Sequence, residues 1–150
     1  MAAVERLKVP DAYEIAADAI AAVRAHANRE RRPDFEVGGE LVVHEGRIVS
    51  YEPLPNLAAE AGWYEPVRLP QPPRLLLHSH PGRWEGLSKG DLAFMRAYGI
   101  DSLAVFSPDY GRLTVWVLDE SRESGVRAVP VRIERRPSRR LPPRRPGRRW

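Results

Sequence analysis

Apolar residues recur along the chain with two periods, near 3.6 and near 2, and the changes between them mark out its elements. Ile15, Ala16, Ile20, Val23 and Ala27 fall close to helical spacing behind Asp11, a residue type that caps helices, which predicts one amphipathic helix over 11–28. Beyond the charged break at 29–33 the period shortens. Phe35–Val43 and Arg47–Tyr51 carry β-branched and apolar residues in strand-like alternation around His44-Glu45-Gly46, which predicts a β-hairpin. Six prolines between Glu52 and Pro73 argue against long regular structure there and leave Tyr64–Leu69 as a candidate edge strand. Arg74–His78 is a short apolar run suited to a strand buried on both faces. Ser88 suits the N-cap of a helix running through Leu92, Met95 and Tyr98 to Gly99. Asp101–Ser107 and Arg112–Asp119 flank the Pro108–Gly111 turn, and Val126–Ile133 reads as a last strand. The order α, β-hairpin, loop, β, α, β, β, β predicts a single α/β unit.

The apolar run ends in His78-Ser79-His80-Pro81, and Ser88-Lys89-Gly90-Asp91 follows. Side chains alternate faces along a strand, so His78 and His80 point to the same side and can grip one ion. Catalytic zinc takes three protein ligands, His nitrogen and carboxylate oxygen among them, and keeps one position open. His78, His80 and Asp91 are the candidate three. Ser88-x-x-Asp91 also has the form of a capping box. The two roles are compatible, because a carboxylate in the first turn is favoured by the helix dipole.

Hydrolysis at such an ion also needs a base and a donor for the developing oxyanion. The segment 78–91 offers a donor as well as ligands, and Glu36, Glu40, Glu45 and Glu52 are the candidate bases. Glu36 opens Glu36-Val37-Gly38-Gly39-Glu40-Leu41, where the paired glycines let a neighbouring chain or substrate come close. Glu36 is therefore the first choice and Glu40 the second, with Glu40 otherwise expected to face solvent and Glu45 to sit in a turn. Trp84, between the ligands and the serine, suits either an apolar lid on the loop or a substrate contact. His26 and His44 read as surface residues, and Trp63 and Tyr64 as core or edge packing.

Composition narrows the chemistry further. The 150 residues, 43% of them hydrophobic, suffice for one domain with a real core and include no apolar run long enough to span a bilayer. The chain has no cysteine, which excludes disulfide frameworks, cysteine zinc fingers and thiol nucleophiles. Met1–Pro10 contains Glu5, Arg6 and Lys8 and lacks a continuous apolar stretch, so no secretory leader is expected and the cytoplasm is the expected location. The net charge is +4, but the segment from Arg135 to Trp150 holds eight arginines and no acid, leaving −4 on the remaining residues. Residues 1–134 are thus expected to form the folded domain. The tail 135–150, with four prolines among its arginines, is expected to be disordered and is a candidate for an anionic partner.

Together these residues resemble the signature of the JAMM zinc metalloproteases, also called MPN+ or JAB-type. That signature is Glu-x-x-Gly-x-Leu, then His-x-His, seven residues of which the first is usually Pro, then Ser-x-x-Asp. Glu36, Gly39 and Leu41 match the first part; His78, His80, the seven residues Pro81–Leu87, Ser88 and Asp91 match the second. Tyr51–Asn56 looks like the strand and Asn-containing turn that follow in that family, and the resemblance spans roughly 35–119. It implies an α/β sandwich of JAMM/MPN, cytidine-deaminase-like type, with a mixed curved sheet flanked by helices. It implies zinc on His78, His80 and Asp91, Glu36 as general acid/base, and Ser88 as the oxyanion donor. The activity implied is that of a zinc-dependent peptidase or isopeptidase. The substrate would be an amide at an extended tail, of a ubiquitin-like or sulfur-carrier protein or of a peptide.

Within that resemblance, the segments around 56–74 and 92–112 leave little room for the long insertions with which specialised deubiquitinases grip a second ubiquitin, which favours a simpler prokaryotic type. Two other readings compete. One is a non-catalytic scaffold of the same fold that binds protein tails, against which every ligand is retained here. The other is a nucleic-acid-associated relative that uses the basic tail, which lacks the interleaved aromatics that base stacking prefers.

Overall fold

The computed structural model describes residues 9–30, 35–58, 63–80 and 86–134. Its elements run β1 (Tyr13–Ile15), α1 (Ala17–Arg29), β2 (Gly38–His44), β3 (Arg47–Leu54), β4 (Arg74–Ser79), α2 (Lys89–Tyr98), β5 (Ser102–Ser107), β6 (Arg112–Leu118) and β7 (Val126–Ile133). The seven strands form a closed mixed barrel in the order β1-β3-β2-β4-β5-β6-β7. Antiparallel ladders join β2 to β3 and β4, and β6 to β5 and β7. Parallel ladders join β4 to β5 and β1 to both β3 and β7.

This architecture corrects the α/β sandwich flanked by helices: the described residues form a closed barrel, mostly sheet, with only two short helices. The difference originates in residues 11–16. Tyr13 and Ile15 are buried to 1% and 0% exposure while Glu14 between them is exposed, which is the period of a strand. Because Ile15 and Ala16 also continue the helical stripe of Ile20, Val23 and Ala27, the sequence reads as one helix. Instead α1 starts at Ala17 behind an Ala16 N-cap that makes no side-chain bond, and Asp11 lies outside it. Beside the ladders to β3 and β7, backbone bonds at the seam run from Glu14 N–H to the Gly46 carbonyl, Ala16 N–H to Ile48, and Glu134 N–H to Ile15. Arg47 and Glu134 add an ion pair at 2.6 Å beside it.

The other elements follow their residues more directly. Glu45 and Gly46, with φ of 49° and 76°, make the tight turn between β2 and β3. Gly99 closes α2 in the left-handed conformation at φ 66°, where a residue without Cβ is favoured. Tyr64–Leu69 forms no strand.

Two hydrophobic cores lie on either side of β4. The larger gathers Ile15, Val23, Leu41, Ile48, Leu75, Leu77 and Phe106 with α1; the smaller gathers Tyr64, Leu76, Met95, Ile100 and Leu103 with α2. β4 is thus buried on both faces, as its apolar run predicts, and burial of each such Leu contributes about 1.5–3 kcal/mol. The same alternation sets His78 and His80 on the Leu76 side, towards the smaller core.

No helix among the described residues is long and apolar enough to cross a membrane. Trp84 and the tail 135–150 lie outside the described residues.

Candidate metal centre

Three segments bring four ionisable side chains together. β4 carries His78 and delivers His80 just past its end, the N-terminus of α2 supplies Asp91, and the stretch before β2 supplies Glu36. All four are buried, at 5% exposure for Glu36 and His78, 6% for His80 and 7% for Asp91. His78 pairs with Val105 of β5 and Gly38 of β2, and the His80 N–H bonds the Phe106 carbonyl, so the sheet fixes both histidine backbones. Ser88 is the N-cap of α2: its hydroxyl accepts from Asp91 N–H at 2.9 Å, and its own N–H donates to Asp91 Oδ2 at 3.0 Å. The capping box therefore also orients the carboxylate.

The ligand-type atoms converge. One atom each of Glu36, His78 and His80 lies within 4.8 Å of the others, a group able to hold a metal ion. His80 Nε2 stands 3.1 Å from Asp91 Oδ2 and 3.7 Å from Glu36 Oε1, and His78 Nε2 stands 3.4 Å from Asp91 Oδ1. The two imidazole rings lie 4.8 Å apart, tilted by 32°. The His78 Nε2 atom is buried and makes no hydrogen bond of good geometry among the described residues. Two carboxyl groups and two imidazoles at this depth are costly in low dielectric unless a charge compensates them, and a divalent cation does so while satisfying that nitrogen. The donor set therefore fits a metal.

The two carboxyls respond in opposite directions to the same surroundings. Burial pushes Glu36 above the ordinary glutamate range, assisted by the negative charge of Asp91 and opposed by His78 and His80. Burial would raise Asp91 too, but contacts with the His78 and His80 imidazoles and the Ser88 N–H outweigh it and hold Asp91 well below the usual range. The same surroundings thus favour the ionised form of Asp91 and the protonated form of Glu36.

The remaining candidates separate from the centre. Glu40 does not face solvent: it is 1% exposed and bound by Arg68 at 2.6 Å, with Arg74 at 3.6 Å. Glu52 is exposed and held by Arg74 at 2.5 Å, and Glu45 is exposed in its turn, as expected. His44 is exposed as expected, but His26 is buried at 9% and hydrogen-bonded with Tyr51 Oη at 2.7 Å.

The paired glycines admit neighbours from this chain. A Cβ on Gly38 would strike the Tyr64 ring and the Leu77 carbonyl, and one on Gly39 the Glu52 carbonyl and the Tyr51 ring. Through the space at Gly38, Tyr64 sets its ring edgewise against His78, centroids 6.3 Å apart. Burial pushes the Tyr64 hydroxyl up to about 12, so it stays protonated.

Two buried serines were not singled out from the sequence. Ser79, between the histidines but on the opposite face, accepts from Val37 N–H at 2.9 Å, and its own N–H bonds the Val37 carbonyl at 2.7 Å. A hydroxyl inside an apolar run is the signal that could have marked it. Ser107 is 1% exposed at the end of β5, and its Oγ finds no hydrogen-bond partner among the described residues.

No protein-family model matches the chain, and a search of curated proteins finds no matching relative.

Proposed function

We propose that the chain is a zinc-dependent peptidase or isopeptidase that hydrolyses an amide at an extended protein or peptide tail. The observation that carries this reading is the convergence of His78, His80 and Asp91 with a separately delivered glutamate whose proton affinity is raised. The proposal rests on these residues and their resemblance to the JAMM signature, and it does not require a sandwich, since function belongs to the site. His78, His80 and Asp91 would hold the ion. Zinc in such a set supplies Lewis acidity and brings the pKa of coordinated water to about 7.

The protein's own groups do the rest. Glu36, with its raised pKa, accepts a proton from the attacking water and returns it to the leaving amine. Ser88 accepts from Asp91 N–H through a lone pair, which leaves its O–H to donate to the developing oxyanion. An extended tail of a ubiquitin-like or sulfur-carrier protein suits a narrow site beside β-structure. A cytoplasmic setting, and an anionic partner for 135–150, belong to the same proposal.

The test is cleavage of ubiquitin-like and sulfur-carrier tail fusions by zinc-loaded protein, with Glu36→Gln and His78→Ala as controls. Release of the fused partner by wild type alone is expected; equal release by the variants would refute the assignment.

A further inference from the structure

Asn56 lies just past β3, and every hydrogen-bonding group of its side chain is in use. Nδ2 donates to the Glu36 carbonyl at 2.9 Å and to the Trp63 carbonyl at 2.8 Å, while Oδ1 accepts from Ala58 N–H at 2.8 Å and Glu65 N–H at 3.0 Å. A carboxamide has two N–H donors and an oxygen with two lone pairs, so this set exhausts it. Two carbonyls at one end and two N–H groups at the other also admit a single orientation of the amide.

We propose that Asn56 is a positioning residue for Glu36, clamping the peptide unit that aims the Glu36 carboxyl at the histidine pair. This inference rests on the reading of Glu36 as the acid/base group. Glu36 precedes the first residue of β2, Gly38, so the regular β2 span does not include it. Its following peptide unit is instead held at both polar ends: the carbonyl by Asn56 Nδ2 at 2.9 Å, and the Val37 N–H by Ser79 Oγ at 2.9 Å. Ser79 lies between His78 and His80, so one end of the clamp is anchored on the strand that carries both imidazoles. The other end reaches α2, because Asn56 also fixes the Trp63 carbonyl, and a Cβ on Gly90 would lie 3.1 Å from Trp63 Cζ3. Gly90 precedes Asp91. One amide thereby ties the acid/base segment to the helix that bears the third candidate ligand.

Asn56→Asp and Asn56→Ala test the proposal, with Leu57→Ser, at an exposed neighbouring side chain, as control. The Asp variant turns an oxygen towards two carbonyls and breaks the clamp with little change in volume; the Ala variant removes the group. Three quantities are read: amide exchange at Val37 and at core positions Leu77 and Ala104, Zn2+ affinity by chelator competition, and kcat and KM on a tail fusion. Exchange at Val37 is expected to rise at least about tenfold with the core amides unchanged, since only a local opening is relieved. The kcat is expected to fall by about 10–100-fold, with KM and Zn2+ affinity within about threefold of wild type.

Unchanged exchange at Val37 in both variants overturns the proposal. So does an unchanged kcat in a protein whose wild type is active, and so does loss of protection throughout the core, which marks a merely structural role. If wild type cleaves no tail fusion, the proposed function falls by itself, and Val37 exchange with retained Zn2+ affinity still decides whether Asn56 holds the Glu36 segment.

Discussion

At the candidate metal centre four buried side chains from three segments are brought within a few ångströms, and one of them, Glu36, reaches the group from outside any strand or helix. At the seam that closes the barrel, three residues of β1 lie between β3 and β7, held by backbone bonds and two buried side chains. The centre depends on which side chains are present, because an ion held there would need the imidazole and carboxylate donors of these particular residues. The seam depends on backbone donors and acceptors that any residue offers, plus apolar volume at Tyr13 and Ile15. Substitution should therefore separate the two. Changes at the centre should remove chemistry and leave the fold, and changes at the seam should weaken the fold while the folded fraction keeps its chemistry.

The largest effect is expected for Glu36→Gln. It should lower kcat on a cleavable tail about 10²–10⁴-fold while zinc stoichiometry and the thermal midpoint stay near wild type; a large drop in midpoint would show that the two regions are not separable. Ser88→Ala comes next, because it touches both. Loss of an oxyanion donor lowers kcat about 10²–10³-fold, and loss of the cap costs about 0.5–2 kcal/mol in urea unfolding. Stability loss without a kcat effect would reduce Ser88 to a cap.

At the seam, Ile15→Ala should cost about 2–5 kcal/mol in urea unfolding, the usual range for truncating a fully buried Ile. Zinc bound per folded chain should not change.

The smallest effect is the pH dependence carried by His26 of α1, which is neither a candidate ligand nor a residue of β1. Burial, then the nearby Arg29 charge, hold its pKa below the ordinary value of 6.5, with Glu30 opposing. Because protonation is easier in the unfolded chain, this contribution is fully present above about pH 6.5 and is lost as pH falls through the depressed folded value. Urea midpoints from pH 7.5 to 5 should fall more steeply for wild type than for His26→Gln.

The two regions also differ in how far the sequence disclosed them. His78, His80, Ser88 and Asp91 stand at spacings that a strand and a capped helix convert directly into a shared site, so residue identity was enough to bring them together. The capping box and the Gly99 terminus were equally legible, since local hydrogen bonding determines both. β1 was not, because three residues are too few to show a period and its apolar pair runs into the stripe of α1. Its partner β7 lies more than a hundred residues away, so nothing local announces a closed barrel. Glu40 misled for a related reason: its burial depends on Arg68 and Arg74, which reach it from the proline-rich connection and from β4. Asn56 was visible only as a turn residue, and its four bonds exist only once residues 36 and 63–65 are folded around it.

Zinc titration into chelator-stripped protein, followed calorimetrically for wild type and for His78→Ala, His80→Ala and Asp91→Ala, tests the central claim most directly. One zinc per wild-type chain is expected, with affinity reduced at least about a hundredfold in each variant while the fold persists, since each variant loses one ligand from a site that needs three. No binding by folded wild type, or equal binding by all three variants, would contradict a metal centre at His78, His80 and Asp91.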